Sequence, residues 1–198
     1  MTRLIVWRHG RTEWNAAGRV QGQLDIDLDD IGQAQAAEVA PRIAALEPAA
    51  IISSDLRRTV RTAAELAMLT GLEVQLDKRL RERDFGPWQG LTGDEIRERY
   101  PKDHARWGTE RPFSDPAIET VEDMARRVIE AFRDAIELVG GRTCVLVTHG
   151  GAARAGCGSL LGWPQDVWHT LGALGNCHYS DLAHHKQRGW QLRAHNVV

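Results

Sequence analysis

Thr143-Cys144-Val145-Leu146-Val147 is a short continuous apolar run that stops at Thr148-His149-Gly150-Gly151. Such a run reads as a strand buried on both faces and ending at a functional edge. The N-terminal Leu4-Ile5-Val6-Trp7 repeats the pattern and ends in Arg8-His9-Gly10. Between them, Ala50-Ile51-Ile52 predicts a further strand ending at Ser53-Ser54-Asp55, and 73–76 another. Helical stretches alternate with these strands. Asp29 is the expected N-cap of a helix over 30–46, in which Pro41 should cause a kink or a break. A second helix over 56–70 closes at Gly71, and Thr92-Gly93-Asp94-Glu95 fits a capping box that starts a short helix before Pro101. After Thr120, Val121, Met124, Val128, Phe132, Ile136 and Val139 recur every three or four residues, which predicts a long helix with one stripe on the core, ended by Gly140-Gly141. Strands alternating with helices in this way predict an α/β fold, a three-layer α/β/α sandwich around a mostly parallel sheet. The stretch 77–116 reads as irregular, and 177–182 with 190–195 as a hairpin.

The chain has 198 residues, which fits a single domain over 1–198. With 25 Lys and Arg against 27 Asp and Glu, the formal charge is −2, without the basic excess of a nucleic-acid or anionic-membrane binder. Any anion site must therefore gather cations locally. Hydrophobic content of 42% and charged content of 26% exclude wholesale disorder and fibrous classes. No apolar stretch approaches the roughly 20 residues that span a bilayer, and 1–10 lacks the apolar region of a signal peptide, so the expected location is cytoplasmic. Cys144, Cys157 and Cys177 form no CxxC pair, so they are expected to be small core residues and not part of a disulfide framework or zinc knuckle. Tryptophan supplies seven of twelve aromatics, and most should pack in the core or on a rim.

In an open α/β sheet, ligands bind outside the carboxyl ends of the strands, where strand order reverses. Two strands ending in His-Gly would bring two imidazoles and the guanidinium of Arg8 to one such rim if they are neighbours. The motifs carry a wider resemblance. Arg8-His9-Gly10-Arg11-Thr12-Glu13-Trp14-Asn15, Ser53-Ser54-Asp55-Leu56-Arg57-Arg58-Thr59, Leu80-Arg81-Glu82-Arg83-Asp84-Phe85-Gly86 and Thr148-His149-Gly150 occur in that order. In these four motifs, spread over nearly the whole chain, the sequence resembles the histidine phosphatase superfamily, also called phosphoglycerate mutase-like.

That resemblance implies phosphoryl transfer through a phosphohistidine on His9, on a small-molecule phosphate ester, with no cofactor and no metal. Phosphoryl transfer needs an in-line nucleophile, cations around three equatorial oxygens and a proton for the leaving oxygen. A neutral His9 could attack phosphorus. Arg8 and Arg58 would favour that neutral form and hold the phosphate with forked hydrogen bonds, while His149 would supply a further donor. Glu82 would protonate the leaving alkoxide and then activate water. Burial beside Trp88 or Phe85 would raise its pKa and the arginines would lower it, and the residues leave the balance open. The catalytic set expected is thus Arg8, His9, Arg58, Glu82 and His149, with Asn15, Gln21, Gly22 and Gly150 joining Arg8, Arg58, Glu82 and His149 around substrate. Asn15 and Gln21 could equally serve turn chemistry. Arg57 should face away from the pocket if Arg58 faces in, and Arg61 should be either a neighbour of Arg58 or a solvated helix charge. His178, His184, His185 and His195 fit no zinc template, and Gly156-x-Gly158-x-x-x-Gly162 has the wrong spacing for a dinucleotide loop.

Glycolytic mutases of this superfamily carry a longer insertion after the acidic motif. Here the stretch holds Asp84 to Gly90 and isolated arginines at 97, 99, 106 and 111, which resembles the phosphatase branch. A mutase and a non-catalytic phosphate-binding adaptor are the alternatives. More narrowly, Gln21-Gly22-Gln23-Leu24-Asp25, Trp88-Gln89-Gly90-Leu91-Thr92 and Gly175-Asn176 resemble the actinobacterial glucosyl-3-phosphoglycerate phosphatases. A tryptophan-rich rim would suit a sugar or, equally, a homodimer interface.

Overall fold

The computed structural model describes residues 1–107, 113 and 115–198, so Arg111 lies outside the described residues. β1 (Arg3–Arg8) is followed by the single-turn α1 (Glu13–Ala16), α2 (Asp30–Ala44), β2 (Pro48–Ser53), α3 (Arg57–Thr70) and β3 (Val74–Leu76). The short α4 (Gly93–Arg99) and α5 (Pro101–His104) precede α6 (Val121–Val139), β4 (Thr143–Thr148), α7 (Gly150–Leu160), β5 (Tyr179–His185) and β6 (Gly189–Val197). The strands form one sheet in the order β3-β2-β4-β1-β5-β6. β1, β2, β3 and β4 are mutually parallel, and the C-terminal hairpin β5-β6 adds antiparallel on β1. This is the three-layer α/β/α sandwich that the alternation predicts.

Because successive strand residues point to opposite faces, β1 and β4 feed two cores. Leu4, Val6, Cys144 and Leu146 pack with Val128 and Phe132 of α6 and Ala152 of α7. Ile5, Trp7, Val145 and Val147 pack with Val39 of α2 and Leu66 of α3. The crossovers out of β1 and β4 therefore leave on opposite faces of the sheet, and the carboxyl ends of these adjacent strands border the crevice between them. The three cysteines are free and buried in the two cores. No helix among the described residues is long and apolar enough to cross a membrane.

The expected caps form: Asp29 Oδ1 accepts from Gly32 N at 2.7 Å, and Thr92 and Glu95 close a reciprocal capping box. Two expectations are corrected and one alternative is resolved. Pro41 does not end α2, which runs three residues further, because the ring removes one hydrogen bond while the buried stripe Ala36, Val39, Ala40 and Ile43 continues past it. β5 begins at Tyr179 and not at Cys177, whose φ of 58° is left-handed and turns the chain so that its carbonyl accepts from Trp7 Nε1 at 2.9 Å. Of the two aromatics offered beside Glu82, Phe85 lines the same cavities as that carboxyl, while Trp88 is fully buried in a third cluster with Ile96 and Ile118, packed by Phe85 and Phe113.

Candidate active site

β1 and β4 pair with Arg8 opposite Thr148, so His9 and His149 emerge side by side, ring centroids 5.2 Å apart. His9 is buried, and its Nδ1 lies 2.7 Å from Gly10 O. A carbonyl can only accept, so Nδ1 carries the proton, and in the neutral ring Nε2 keeps its lone pair. Burial, then the charges of Arg58 and Arg8, push the His9 pKa well below its ordinary value. His9 is therefore neutral at physiological pH. Its backbone is clamped as well, since His9 N donates to Thr148 O while Cys177 N and Asn176 Nδ2 donate to His9 O.

Arg58 is fully buried at the start of α3 and donates to the carbonyls of Gly22 and Leu24, each at 2.7 Å. Gly22 reaches that position with φ 53°, and a Cβ there would lie 2.1 Å from Gln89 Oε1, so only glycine fits. Burial lowers the Arg58 pKa to about 10, which leaves it cationic. Arg8 donates from Nη1 to Leu174 O, and its buried Nε has no hydrogen-bond partner. Burial lowers its pKa too, against the opposing charge of Glu82. No carboxylate within the described residues ion-pairs with either guanidinium, so both charges remain available to an anion. His149 is turned differently from the expected phosphate donor. Its Nδ1 accepts from Arg58 Nε at 3.2 Å, so in the neutral ring its Nε2–H donates to Ser54 Oγ at 2.9 Å. Burial first, then Arg58, His9 and Arg8, hold it neutral.

Glu82 sits at the N-terminus of α7. Its Oε1 accepts from Arg83 N at 2.9 Å and Ala152 N at 3.1 Å, and Oε2 from Gly151 N at 2.9 Å. A Cβ on Gly151 would stand 2.5 Å from Oε1, so glycine is what lets the carboxyl approach the helix end. Arg8, His9, Asn15, Gln21, Gly22, Arg58, Glu82 and His149 line one cavity of about 190 Å³, with Phe85 and Trp107 on its wall. Asn15 makes the turn its sequence allows, its Oδ1 accepting from Thr12 N, Thr12 Oγ1 and Asn176 Nδ2, and it lines the cavity. Gln21 Oε1 is buried there without a partner. Gly150, expected around substrate, begins α7 against the Arg8 guanidinium and is not in the lining, whereas the next residue, Gly151, holds Glu82 through its amide. A second cavity of about 270 Å³ shares Glu82, Phe85 and Trp107 with the first.

Arg57 points outward to Asp25, and Arg61 is a solvated charge 3.8 Å from Asp27, as expected of residues off the pocket face. The four C-terminal histidines have local partners: His178 the carbonyl of Asn176, His184 the ring of Trp190, His185 the amide of Gln187, and His195 Ser180 with Gly172. No group of three or more His, Cys, Asp or Glu among the described residues is placed to hold a metal.

The family description of the histidine phosphatase superfamily (branch 1) matches residues 4–198. The chain belongs to this superfamily. It is 39% identical over 190 residues to glucosyl-3-phosphoglycerate phosphatase of Mycolicibacterium vanbaalenii, covering 92% of this chain and 84% of that protein. Phosphoserine phosphatase 1 of Hydrogenobacter thermophilus is 34% identical over 194 residues, with 98% and 92% covered. Among solved structures, a mycobacterial glucosyl-3-phosphoglycerate phosphatase in complex with VO3 superposes with a TM-score of 0.92 at 36% identity, covering 99% of both chains.

The superfamily motifs thus converge on one cavity, but several groups that hold them were not legible in the sequence. Arg127 of α6 pairs with Glu119 at 2.7 Å and donates to the carbonyls of Arg79, Arg81 and Glu82, which fixes the segment carrying Glu82. It lies next to the apolar stripe, where a charge reads as solvated. Arg81 forks onto Asp55 at 2.6 Å and ties the acidic segment to the end of β2. Ser54 and Asn176 hold the two histidines, and only their presence within quoted motifs hinted at it.

Proposed function

We propose that the chain, as one domain over 1–198, is a phosphomonoesterase that moves the phosphoryl group of a small phosphorylated sugar or sugar acid to His9 and then to water. What carries this reading is the His9 tautomer: a buried neutral ring whose Nδ1–H is spent on Gly10 O, leaving the Nε2 lone pair to a cavity that holds two guanidiniums without carboxylate partners. The new N–P bond forms as the ester P–O bond breaks, with Arg8 and Arg58 on the equatorial oxygens. Because Oε1 of Glu82 already accepts two amides and Oε2 only one, Oε2 is the atom that carries the proton to the leaving alkoxide. The resulting carboxylate takes a proton from the water that attacks phosphorus, and cleavage of the N–P bond restores neutral His9. His149 orients Arg58 from its place between that residue and Ser54, and a ring released from Ser54 would turn its N–H onto the phosphoryl oxygens. Asn15, Gln21 and Gly22 complete the substrate wall.

For the substrate we propose glucosyl-3-phosphoglycerate, supported by the relatives of that name and by aromatic residues that line both cavities and suit a sugar better than a homodimer interface. Three buried free thiols suit the reducing cytoplasm. Hydrolysis of p-nitrophenyl phosphate without added metal, followed by acid quench, tests the chemistry. His9→Ala is expected to lose turnover by about 10⁴-fold or more together with the acid-labile phosphoenzyme. Retention of wild-type rate by that variant would rule out covalent catalysis at His9. Rates on glucosyl-3-phosphoglycerate no better than on generic phosphomonoesters would remove the substrate assignment.

A further inference from the structure

The larger cavity adjoins the phosphate pocket through Glu82, and its lining includes groups to which the mechanism gives no part. One of them is Arg154, three residues along α7 from the Gly151 amide that holds Glu82 and so on the same helix face. Arg154 Nε is buried without a hydrogen-bond partner, and the guanidinium forms no ion pair among the described residues. A desolvated guanidinium donor left without an acceptor is costly, and at a cavity wall a ligand acceptor can satisfy it. The opposite character is provided by Trp168, Trp107 and Phe113, which line the same cavity and give it apolar surface suited to a sugar ring.

We propose that this cavity is the leaving-group subsite and that Arg154 determines specificity by binding a carboxylate on the alcohol part of the ester. The inference deepens the phosphomonoesterase reading and rests on it. The leaving oxygen must reach Glu82, and Glu82 is the carboxylate shared by the two cavities, so the alcohol extends into the second one. A planar guanidinium fork matches a carboxylate. Glu122 and Asp166 line the cavity beside Arg83 and Arg154, so its cations are already matched in number by carboxylates, which favours a singly charged carboxylate over a second, dianionic phosphate.

The experiment compares kcat/KM for 3-phosphoglycerate with that for glycerol 3-phosphate, which has the same skeleton with a hydroxymethyl in place of the carboxylate. p-Nitrophenyl phosphate serves as the control for folding and for the phosphoryl chemistry. The wild type should prefer 3-phosphoglycerate, and Arg154→Met should reduce that preference by about tenfold to a hundredfold, mainly through KM. Arg154→Lys should restore part of it. Absence of a preference in the wild type, or a ratio unchanged in Arg154→Met while p-nitrophenyl phosphate is still turned over, overturns the subsite alone. Failure of the wild type on p-nitrophenyl phosphate overturns the phosphomonoesterase reading, and the subsite with it.

Discussion

The rim at the ends of β1 and β4 and the cavity wall that carries Phe85, Trp107, Phe113, Arg154 and Trp168 meet at the same carboxylate, Glu82, yet they are held in different ways. On the rim most functional groups are tied to backbone, His9 to Gly10 O, Arg58 to Gly22 O and Leu24 O, Glu82 to the amides of Gly151 and Ala152, while His149 is held between the side chains of Arg58 and Ser54. The wall combines aromatic side chains from irregular segments with Arg83, Arg154, Glu122 and Asp166, and its Arg154 Nε, like Arg8 Nε on the rim, is buried without a partner. The geometry of a reacting phosphorus is the same for every ester, so its surroundings can be over-determined. The alcohol differs between esters, and the aromatic part of its surroundings comes from segments between the long helices, which tolerate change.

Replacing Glu82 by Gln tests the rim most severely. Hydrolysis of alkyl esters should slow by about 10²–10⁴, with less loss for p-nitrophenyl phosphate, whose leaving group needs little protonation. Equal losses across leaving groups would count against the acid role. Gly151→Ala should reproduce that leaving-group pattern more weakly, at about tenfold to a hundredfold, because the added methyl must displace the Glu82 carboxyl. The obstructing atom is the far end of a flexible side chain, so the melting temperature should hardly move; a large drop would show that the contact serves the fold instead. On the wall, Trp107→Ala should raise KM for a sugar ester roughly tenfold while leaving kcat nearly constant. A fall in kcat on every substrate would erase the distinction between the two regions.

The smallest effect concerns stability. His9 and His149 are held neutral in the fold, whereas in the unfolded chain they take up protons below 6.5. Below that pH the unfolded chain binds protons that the native one does not, so these two sites lower stability as pH falls. Each contributes up to about 1.4 kcal/mol per pH unit until its depressed native pKa is reached. Urea midpoints at pH 7.5, 6 and 5 should show this decline, and His149→Asn should flatten it. A slope identical to wild type would mean that His149 is not held neutral.

Much of the rim was legible because its residues sit where local patterns end. A buried strand must stop at the sheet edge, so the polar residues after Trp7 and Val147 had to face the crevice. Arg58 stood out from Arg57 only through the motif resemblance. The orientation of His149 was not legible, since which partner each ring nitrogen takes depends on Arg58 and Ser54, 91 and 95 residues away in sequence. The sequence offered Trp88 and Phe85 alike for burial beside Glu82; the turn at 86–88 sends Trp88 into a cluster with Ile96 and Ile118, while Phe85 shares the cavity wall with Glu82. Arg127 and Arg154 read as ordinary helix charges, and nothing local distinguishes a guanidinium that turns inward.

Local chemistry alone settled the alternation of strands and helices, the caps at Asp29, Thr92 and Thr120, and the polar strand ends, because each depends on residues within one turn or one strand. Packing across the sheet decided which groups meet: the pairing of β1 with β4, the α7 amides on Glu82, the Arg127 clamp and the cavity beside Arg154. These are contacts between segments far apart in the chain, and their energies depend on distance and desolvation, quantities that exist only once the chain has folded.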